Sequence, residues 1–313
     1  MKQQKKAYIL YSALIGLVCM LGMYVPVLLF VAPGFLAFTG LAWGTPAFVA
    51  AALFSAAGAF FAMDLGSALL IVSIFLPAAF ALFILAKKRA PWRNTTFYVS
   101  SLLCAGFYSY MCLPSLFAGD APFAMVSEAA AQKSAELLES FRTAGAEPEI
   151  IKELTQNLKQ LETVIPKAML SLILAAGLIF GLLSVVIAKS LAKKAGASLA
   201  PMEKFEMWQL PKDFLWGSIF LFAIAVIGML LDYSEFDAVF LAVQAVVAVP
   251  LAIQGLSFEY YLLGRRKNPS LARSILILAI IVLFPFSVAA LVLMGVLEQI
   301  FKLRIRLKGF FNQ

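Results

Sequence analysis

The stretch from Ala7 to Ala86 contains a single charged residue, Asp64. A helix needs roughly 20 apolar residues to cross a bilayer, so this stretch has room for up to about four short spans. Only 13% of the whole chain is charged and 63% is hydrophobic, and a soluble core could not bury that much apolar surface. Because the apolar runs are continuous, they exclude the alternating pattern of a membrane barrel. The sequence therefore predicts an all-α, polytopic integral membrane protein.

Charge orients the predicted spans, because Lys and Arg beside a span stay in the cytoplasm. Basic segments alternate along the chain with acidic or neutral loops, which predicts a cytoplasmic N-terminus, eight spans and a location in the cell (plasma) membrane. The same distribution makes the net charge of +8 a topology signal and argues against nucleic-acid binding. The last apolar segment, 274–297, either crosses as a ninth span or turns back at Pro285, and the sequence leaves both open.

Four regions follow from this reading. We predict N-terminal transmembrane helices over 1–116, an extracytoplasmic helical hairpin over 117–166, C-terminal transmembrane helices over 167–301 and a basic tail over 302–313. The hairpin rests on an apolar stripe at helical spacing, which includes Leu154, Leu158 and Leu161. The hairpin is either a cap packed on the spans, or a lid or docking element for a partner. The tail alternates basic and apolar residues, which suits a segment on the membrane surface.

Several kinds of chemistry lack their residues in this sequence. The chain has no His, no Cys pair at the spacing of metal ligands and no phosphate-binding loop. We therefore expect no catalytic residues, no metal and no cofactor.

Small residues recur four apart at Ala47, Ala51, Ser55 and Ala59. This spacing lets helix backbones approach closely in a membrane. It indicates either packing within the protein or a docking surface for a partner subunit in the membrane.

The predicted span 236–263 carries polar residues that an apolar helix rarely accepts. Pro250 removes one backbone hydrogen bond and kinks a helix, and Gln254 lies one turn further on. Polar groups at such a break are where many transporters hold a solute. We therefore take Gln254 as the best candidate for a solute contact, unless it bonds the backbone freed by Pro250. Glu259 is a lesser candidate, because it could instead pair with Arg265 or Arg266 near the inner surface.

Three stretches resemble the signature stretches of the YybS-like family of bacterial membrane proteins, which is largely of unknown function: 201–211 (PMEKFEMWQLP), 253–262 (IQGLSFEYYL) and 294–309 (MGVLEQIFKLRIRLKG). The positions that carry the resemblance are Phe205, Trp208, Leu210, Pro211, Gln254, Gly255, Leu256, Ser257, Gly295, Glu298 and Arg304. The family more often has Asp where Glu298 stands. The resemblance follows the order of the spans over nearly the whole chain.

A second, weaker resemblance is to the substrate-binding (S) components of energy-coupling-factor transporters, in the layout of the spans from Ala7 to Ala86. It implies a solute site among the first six spans and a partner subunit in the membrane. We therefore expect a solute-binding, transport-related protein in the lipid bilayer, without catalysis of its own. The alternative is a membrane scaffold or regulator that acts through protein partners.

Overall fold

The computed structural model describes residues 12–18, 21, 28, 31–62, 65–118, 123–197, 204–231 and 236–311. Its described residues are helical, with irregular connections and no strand. The chain divides into two compact units, Met1–Ala200 and Pro201–Gln313, called here the N-terminal unit and the C-terminal unit. The all-α prediction is confirmed. The charged residue Asp64 lies outside the described residues.

The N-terminal unit contains seven helices in its described part. They are α1 (12–18), α2 (Ala32–Trp43), α3 (Thr45–Ala62), α4 (Leu65–Lys87), α5 (Trp92–Ala118), α6 (Ala124–Thr143) and α7 (Pro148–Lys194). One turn of α4, Ile71–Phe75, is wound as a π-helix.

The C-terminal unit begins its described part with an irregular linker, residues 204–213, that includes one short 3₁₀ turn at Phe205–Met207. Five helices follow: α8 (Phe214–Leu230), α9 (Phe236–Leu263), α10 (Pro269–Val282), α11 (Phe284–Phe301) and α12 (Leu303–Phe311).

Four of the described helices are long and apolar enough to cross a membrane, namely Thr45–Ala62, Leu65–Lys87, Val164–Lys194 and Phe236–Leu263. Shorter apolar helices occupy Ala32–Trp43, Phe214–Leu230, Pro269–Val282 and Phe286–Phe301. At the end of the predicted N-terminal region, α5 is a continuous helix of 27 residues. A helical membrane protein with several spans is therefore supported, and the figure of eight or nine spans stays a prediction.

The stripe of small residues on α3 is buried inside the N-terminal unit. Ala47, Ala51, Ser55 and Ala59 are all 0% exposed. A Cβ added at Gly16 of α1 would lie 3.3 Å from the Ala51 carbonyl oxygen, so α1 packs directly on this stripe. The close spacing therefore serves packing within the chain, and the alternative of a docking surface for another subunit is wrong for these four residues.

The predicted helical hairpin corresponds to α6 and the first part of α7. The chain reverses at Gly145, whose φ of +75° favours glycine, and α7 begins at Pro148 in its first turn. However, α7 runs unbroken for 47 residues through Pro166 to Lys194. One continuous helix therefore joins the hairpin to the membrane segment, and no break marks the predicted boundary at 166–167.

The helices α9 and α11 of the C-terminal unit run in the same direction. Contacts pair Leu251 with Gly295, Gln254 with Gln299 and, just beyond α11, Ser257 with Arg304, so residue numbers rise together along both. Because α10 connects the end of α9 to the start of α11, it runs back the opposite way.

The apolar segment 274–297 therefore turns back at Leu283, between α10 and α11, and does not cross as one helix. Pro285 is in the first turn of α11, where its missing N–H costs nothing. This return leaves the C-terminal tail at the same end of the unit as the basic loop Arg265–Lys267. The chain thus reverses near Pro285, as in the second of the two alternatives that the sequence left open, and the number of spans stays a prediction.

Candidate functional site

The linker 204–213 is held by side chains that reach it from α9 and α12. Arg304 donates from Nη1 to the carbonyl oxygens of Glu206 and Trp208, each at 3.0 Å. The Ser257 hydroxyl contacts the carbonyl oxygens of Phe205 and Trp208 and accepts from Arg304 Nη2 at 3.1 Å. Irregular backbone within a membrane protein requires such partners, because lipid offers none. These bonds define a polar clasp that consists of Ser257, Glu298 and Arg304 with the linker carbonyls.

Glu298 and Arg304 form the charged part of the polar clasp. Their side chains are 1% and 3% exposed, and Arg304 Nε lies 3.3 Å from Glu298 Oε1. The backbone N–H of Arg304 also donates to Glu298 Oε2. Burial lowers the pKa of the Arg304 guanidinium, whereas the charges of Glu298 and Tyr261 raise it. Since an arginine titrates only far above neutral pH, Arg304 stays charged and Glu298 compensates it.

Backbone geometry explains how Arg304 reaches this position. Lys302 adopts a left-handed φ of +50° and ends α11, and its N–H donates to the Glu298 carbonyl. The chain then begins α12 in a new direction, which turns Arg304 inward while Ile305 stays 64% exposed. The expectation of a tail that lies wholly on the membrane surface is therefore wrong at Arg304.

Gln254 is 1% exposed and ties α9 to both the linker and α11. Its Oε1 accepts from the Leu210 N–H at 3.1 Å, and its Nε2 donates to Gln299 Oε1 at 3.0 Å. Gln299 in turn donates to the Pro211 carbonyl at 2.6 Å. The described bonds of Gln254 thus go to other segments, not to backbone freed by Pro250, and α9 continues as a helix through that proline.

Two glycines allow α9 and α11 to approach this closely. A Cβ at Gly255 would lie 1.9 Å from the Leu291 carbonyl oxygen, and one at Gly295 would lie 2.1 Å from the Leu251 carbonyl oxygen. Each glycine faces the backbone of the other helix, so no larger residue fits at either position.

A cavity of about 390 Å³ lies beside Gln254 within the C-terminal unit. This size is at the lower end of the range of roughly 300–1,000 Å³ that is typical of small-molecule sites. Its lining includes three amide side chains and four charged ones: Gln209, Gln254, Gln299, Lys212, Asp213, Glu298 and Lys302. We call this space the glutamine cavity.

Of the charged groups that line the glutamine cavity, Glu298 is paired with Arg304, and the other three have no partner among the described residues. Across the residues that the structure describes, no hydrogen bond or ion pair engages the charged groups of Lys212, Asp213 and Lys302, and all three side chains are exposed. Gln254 keeps one amide hydrogen beyond its two bonds. A smaller cavity of about 160 Å³ shares Gln209 and is lined by Arg304.

Glu259 lies one turn beyond Gly255 on α9 and is half-buried. In the described part of the chain no ion pair joins it to Arg265 or Arg266. Arg265 instead contacts Tyr261, whose hydroxyl accepts from its Nη2. Glu259 is absent from the lining of the glutamine cavity, so the structure separates it from Gln254.

Sequence reasoning singled out Gln254, Leu210 and Glu298 but missed the other polar side chains that line the cavity. Gln209 and Gln299 each lie in a stretch that carries the YybS-like resemblance, and Lys212 directly follows one. The signal that could have identified them was a charged or amide residue within or directly after one of these stretches. Glu206 was also missed: its Oε2 lies 2.6 Å from Arg273 Nη2, which fastens the linker to the start of α10.

The comparison with protein families gives one finding. The model of the family described as "Predicted membrane protein (DUF2232)" matches residues 12–298, and the chain belongs to that family. No curated protein and no solved structure matches the chain. The match includes the linker, Gln254 and Glu298, and it stops short of Arg304.

Proposed function

We propose that this member of the DUF2232 family of membrane proteins binds a small polar molecule in the glutamine cavity, in a transport-related role and without catalysis of its own. The observation that carries the proposal is the set of uncommitted charges at Lys212, Asp213 and Lys302 beside a cavity of about 390 Å³. Unpaired polar groups in a pocket provide the few contacts that orient a ligand there.

The polar clasp supports the proposal by fixing one wall of the cavity. Arg304 and Ser257 hold the linker carbonyls, and Gln254 holds the Leu210 N–H. Lys212 and Asp213 directly follow this fixed segment. A site whose polar groups are positioned before the ligand arrives loses less entropy on binding.

The YybS-like identity is part of this proposal. The three stretches that carry that resemblance supply the linker, the middle of α9 and the turn from α11 to α12, which are the parts that surround the glutamine cavity. The S-component resemblance would place a solute among the first six spans. The polar cavity in the C-terminal unit supports the solute-binding part of that expectation and not its location.

The test is ligand-induced stabilisation of the purified protein across a panel of charged and zwitterionic small molecules. A ligand at 100 times its Kd adds about 2.7 kcal/mol to the free energy of unfolding. We expect Lys302→Gln to remove this shift, because its ammonium lines the cavity and forms no structural bond. Arg306→Gln, which changes an exposed charge outside the cavity lining, is the matched control and should keep the shift. If no compound stabilises the protein, or if Lys302→Gln leaves the shift intact, the proposed site is wrong.

A second candidate function is partner binding by the helical hairpin, and one observation favours it. The hairpin exposes large apolar side chains on both helices: Leu137 at 42%, Phe141 at 39%, Ile150 at 49% and Leu161 at 50%. Crosslinking from a photoreactive residue at Phe141 in intact cells tests it, with the exposed Glu139 as control position. A discrete crosslinked partner specific to Phe141 would support this function, and its absence would leave the hairpin as a cap.

A further inference from the structure

The glutamine cavity opens beside lipid-facing residues. Trp216 and Ile305 belong to its lining and are 73% and 64% exposed. Trp216 is in the first turn of α8, whose outward residues are large and apolar, with Phe220 at 66% and Ile227 at 56% exposed. In a membrane-spanning chain such a face contacts acyl chains, and a Trp at the end of the helix marks the headgroup level. The mouth of the cavity therefore lies where lipid headgroups are.

The charges around the cavity are mixed in sign. Lys212 and Lys302 are two cations, and Asp213 is a carboxylate that makes no capping bond to α8. The fourth charged group, Glu298, is already paired with Arg304, so three charges are left for a ligand. A phosphate matches the two ammonium groups as a charge-assisted acceptor. A ligand ammonium matches Asp213, and the amides of Gln254 and Gln299 offer neutral hydrogen bonds. One ligand group that carries both a phosphate and a primary ammonium complements the whole set.

The size of the cavity selects between a whole lipid and its headgroup. A volume of about 390 Å³ accommodates a compact polar group and leaves no room for two acyl chains. Those chains would lie outside, along Trp216 and the apolar face of α8. We propose that the glutamine cavity binds the phosphate-and-ammonium headgroup of a membrane phospholipid, with its acyl chains in the bilayer. This inference rests on the proposed function, because it names the ligand class of the same cavity.

The experiment compares lipids and their free headgroup on the full chain in detergent. Thermal unfolding is followed during titration with phosphatidylethanolamine, phosphatidylcholine, phosphatidylglycerol and the soluble compound glycerophosphoethanolamine. We expect phosphatidylethanolamine to bind at least about tenfold more tightly than phosphatidylcholine, whose quaternary ammonium cannot donate to Asp213, because hydrogen bonds to charged groups are the stronger class. The soluble headgroup should bind more weakly than the lipid, since it lacks the apolar contact with α8.

Variants then assign the effect to residues. Lys212→Gln with Lys302→Gln should weaken phosphatidylethanolamine binding by about tenfold or more, because both phosphate partners are lost. Asp213→Asn should abolish the preference for phosphatidylethanolamine over phosphatidylglycerol and preserve phospholipid binding itself. The control is the double variant Arg266→Gln with Lys267→Gln, which also removes two positive charges. These two residues lie in an exposed loop of the same unit and do not line the cavity. The control should change affinity by less than about twofold, as expected for screened surface charges.

The outcomes separate this inference from the proposed function. Equal stabilisation by all lipids, or equal loss in the control variant, would overturn the headgroup site. If glycerophosphoethanolamine bound as tightly as the lipid and depended on Lys302, the cavity would hold a soluble solute, so the proposed function would stand and the lipid inference would be wrong. If neither lipid nor soluble compound bound through Lys302, both would be wrong.

Discussion

The two units of this protein bury cations in opposite ways. In the C-terminal unit Arg304 is 3% exposed and is surrounded by partners: a carboxylate, a hydroxyl and two carbonyl oxygens. In the N-terminal unit Lys189 of α7 is 5% exposed, and its Nζ has no hydrogen-bond partner in the described structure. Around Lys189, buried Val185 and Ala188 belong to an apolar core.

This difference shows what holds each unit together. The described part of the N-terminal unit relies on close packing of small and apolar side chains, and buried hydroxyls such as those of Thr39 and Ser55 bond carbonyl oxygens of their own helix. The C-terminal unit contains an irregular linker, so its stability depends on the polar clasp that supplies partners to that backbone. The same substitution should therefore have different consequences in the two units.

The largest effect is expected for Arg304→Met. This change leaves Glu298 buried without its counter-ion and the carbonyls of Glu206 and Trp208 without donors. Breaking a buried pair on one side costs about 3–5 kcal/mol. Thermal unfolding in detergent measures it. Glu298→Leu combined with Arg304→Met should recover part of the loss, whereas no recovery would mean that the pair itself is not the source.

Helix crossings provide the next comparison. An added Cβ at Gly255 meets the Leu291 backbone, while one at Gly177 of the N-terminal unit meets the Cys104 side chain at 2.2 Å. Gly255→Ala should cost about 1–3 kcal/mol by overpacking, and no single partner substitution should rescue it. Gly177→Ala should be rescued by Cys104→Ala. If Cys104→Ala did not restore the stability of Gly177→Ala, both helix crossings would depend on backbone contact alone.

Gln254→Leu should destabilise the unliganded protein by about 1–3 kcal/mol, because it leaves the Leu210 N–H without an acceptor. Unfolding by heat or denaturant measures this loss, with the exposed Gln132→Leu as control. The sequence left open whether Gln254 contacts a solute or bonds the backbone freed by Pro250. The bonds of Gln254 to the Leu210 N–H and to Gln299 position the linker, and an unchanged unfolding midpoint would contradict that role.

The smallest effect is expected for Lys189→Met. No described hydrogen bond is lost, and replacing a buried charge with an apolar side chain of similar length is often neutral or stabilising. The free energy of unfolding should fall by no more than about 1 kcal/mol, which is the centre of the distribution for single substitutions. A loss as large as that of Arg304→Met would reveal an anionic partner of Lys189 and would remove the contrast between the units.

Several features were predictable from local pattern. The all-α membrane class followed from apolar runs, and the helical hairpin followed from the spacing of Leu154, Leu158 and Leu161 with a turn near Gly145. These signals are local, since they depend on period and on turn residues.

The polar clasp was not predictable in the same way. The alternating tail gave no sign that Arg304 turns inward, because that depends on one left-handed residue, Lys302. The pairing of Gln254 with Gln299 depends on a turn at Leu283 that makes α11 parallel to α9. The stripe of small residues on α3 was ambiguous in principle, because the same spacing serves packing within a chain and between chains.

The most direct measurement is hydrogen exchange of the linker amides, above all Leu210, in the wild type, Arg304→Met and Lys189→Met. The polar clasp predicts that Leu210 is protected in the wild type although it lies in no helix. Its exchange should accelerate by roughly a hundredfold or more in Arg304→Met and stay unchanged in Lys189→Met. Rapid exchange of Leu210 in the wild type, or equal exchange in both variants, would contradict a linker held by Arg304.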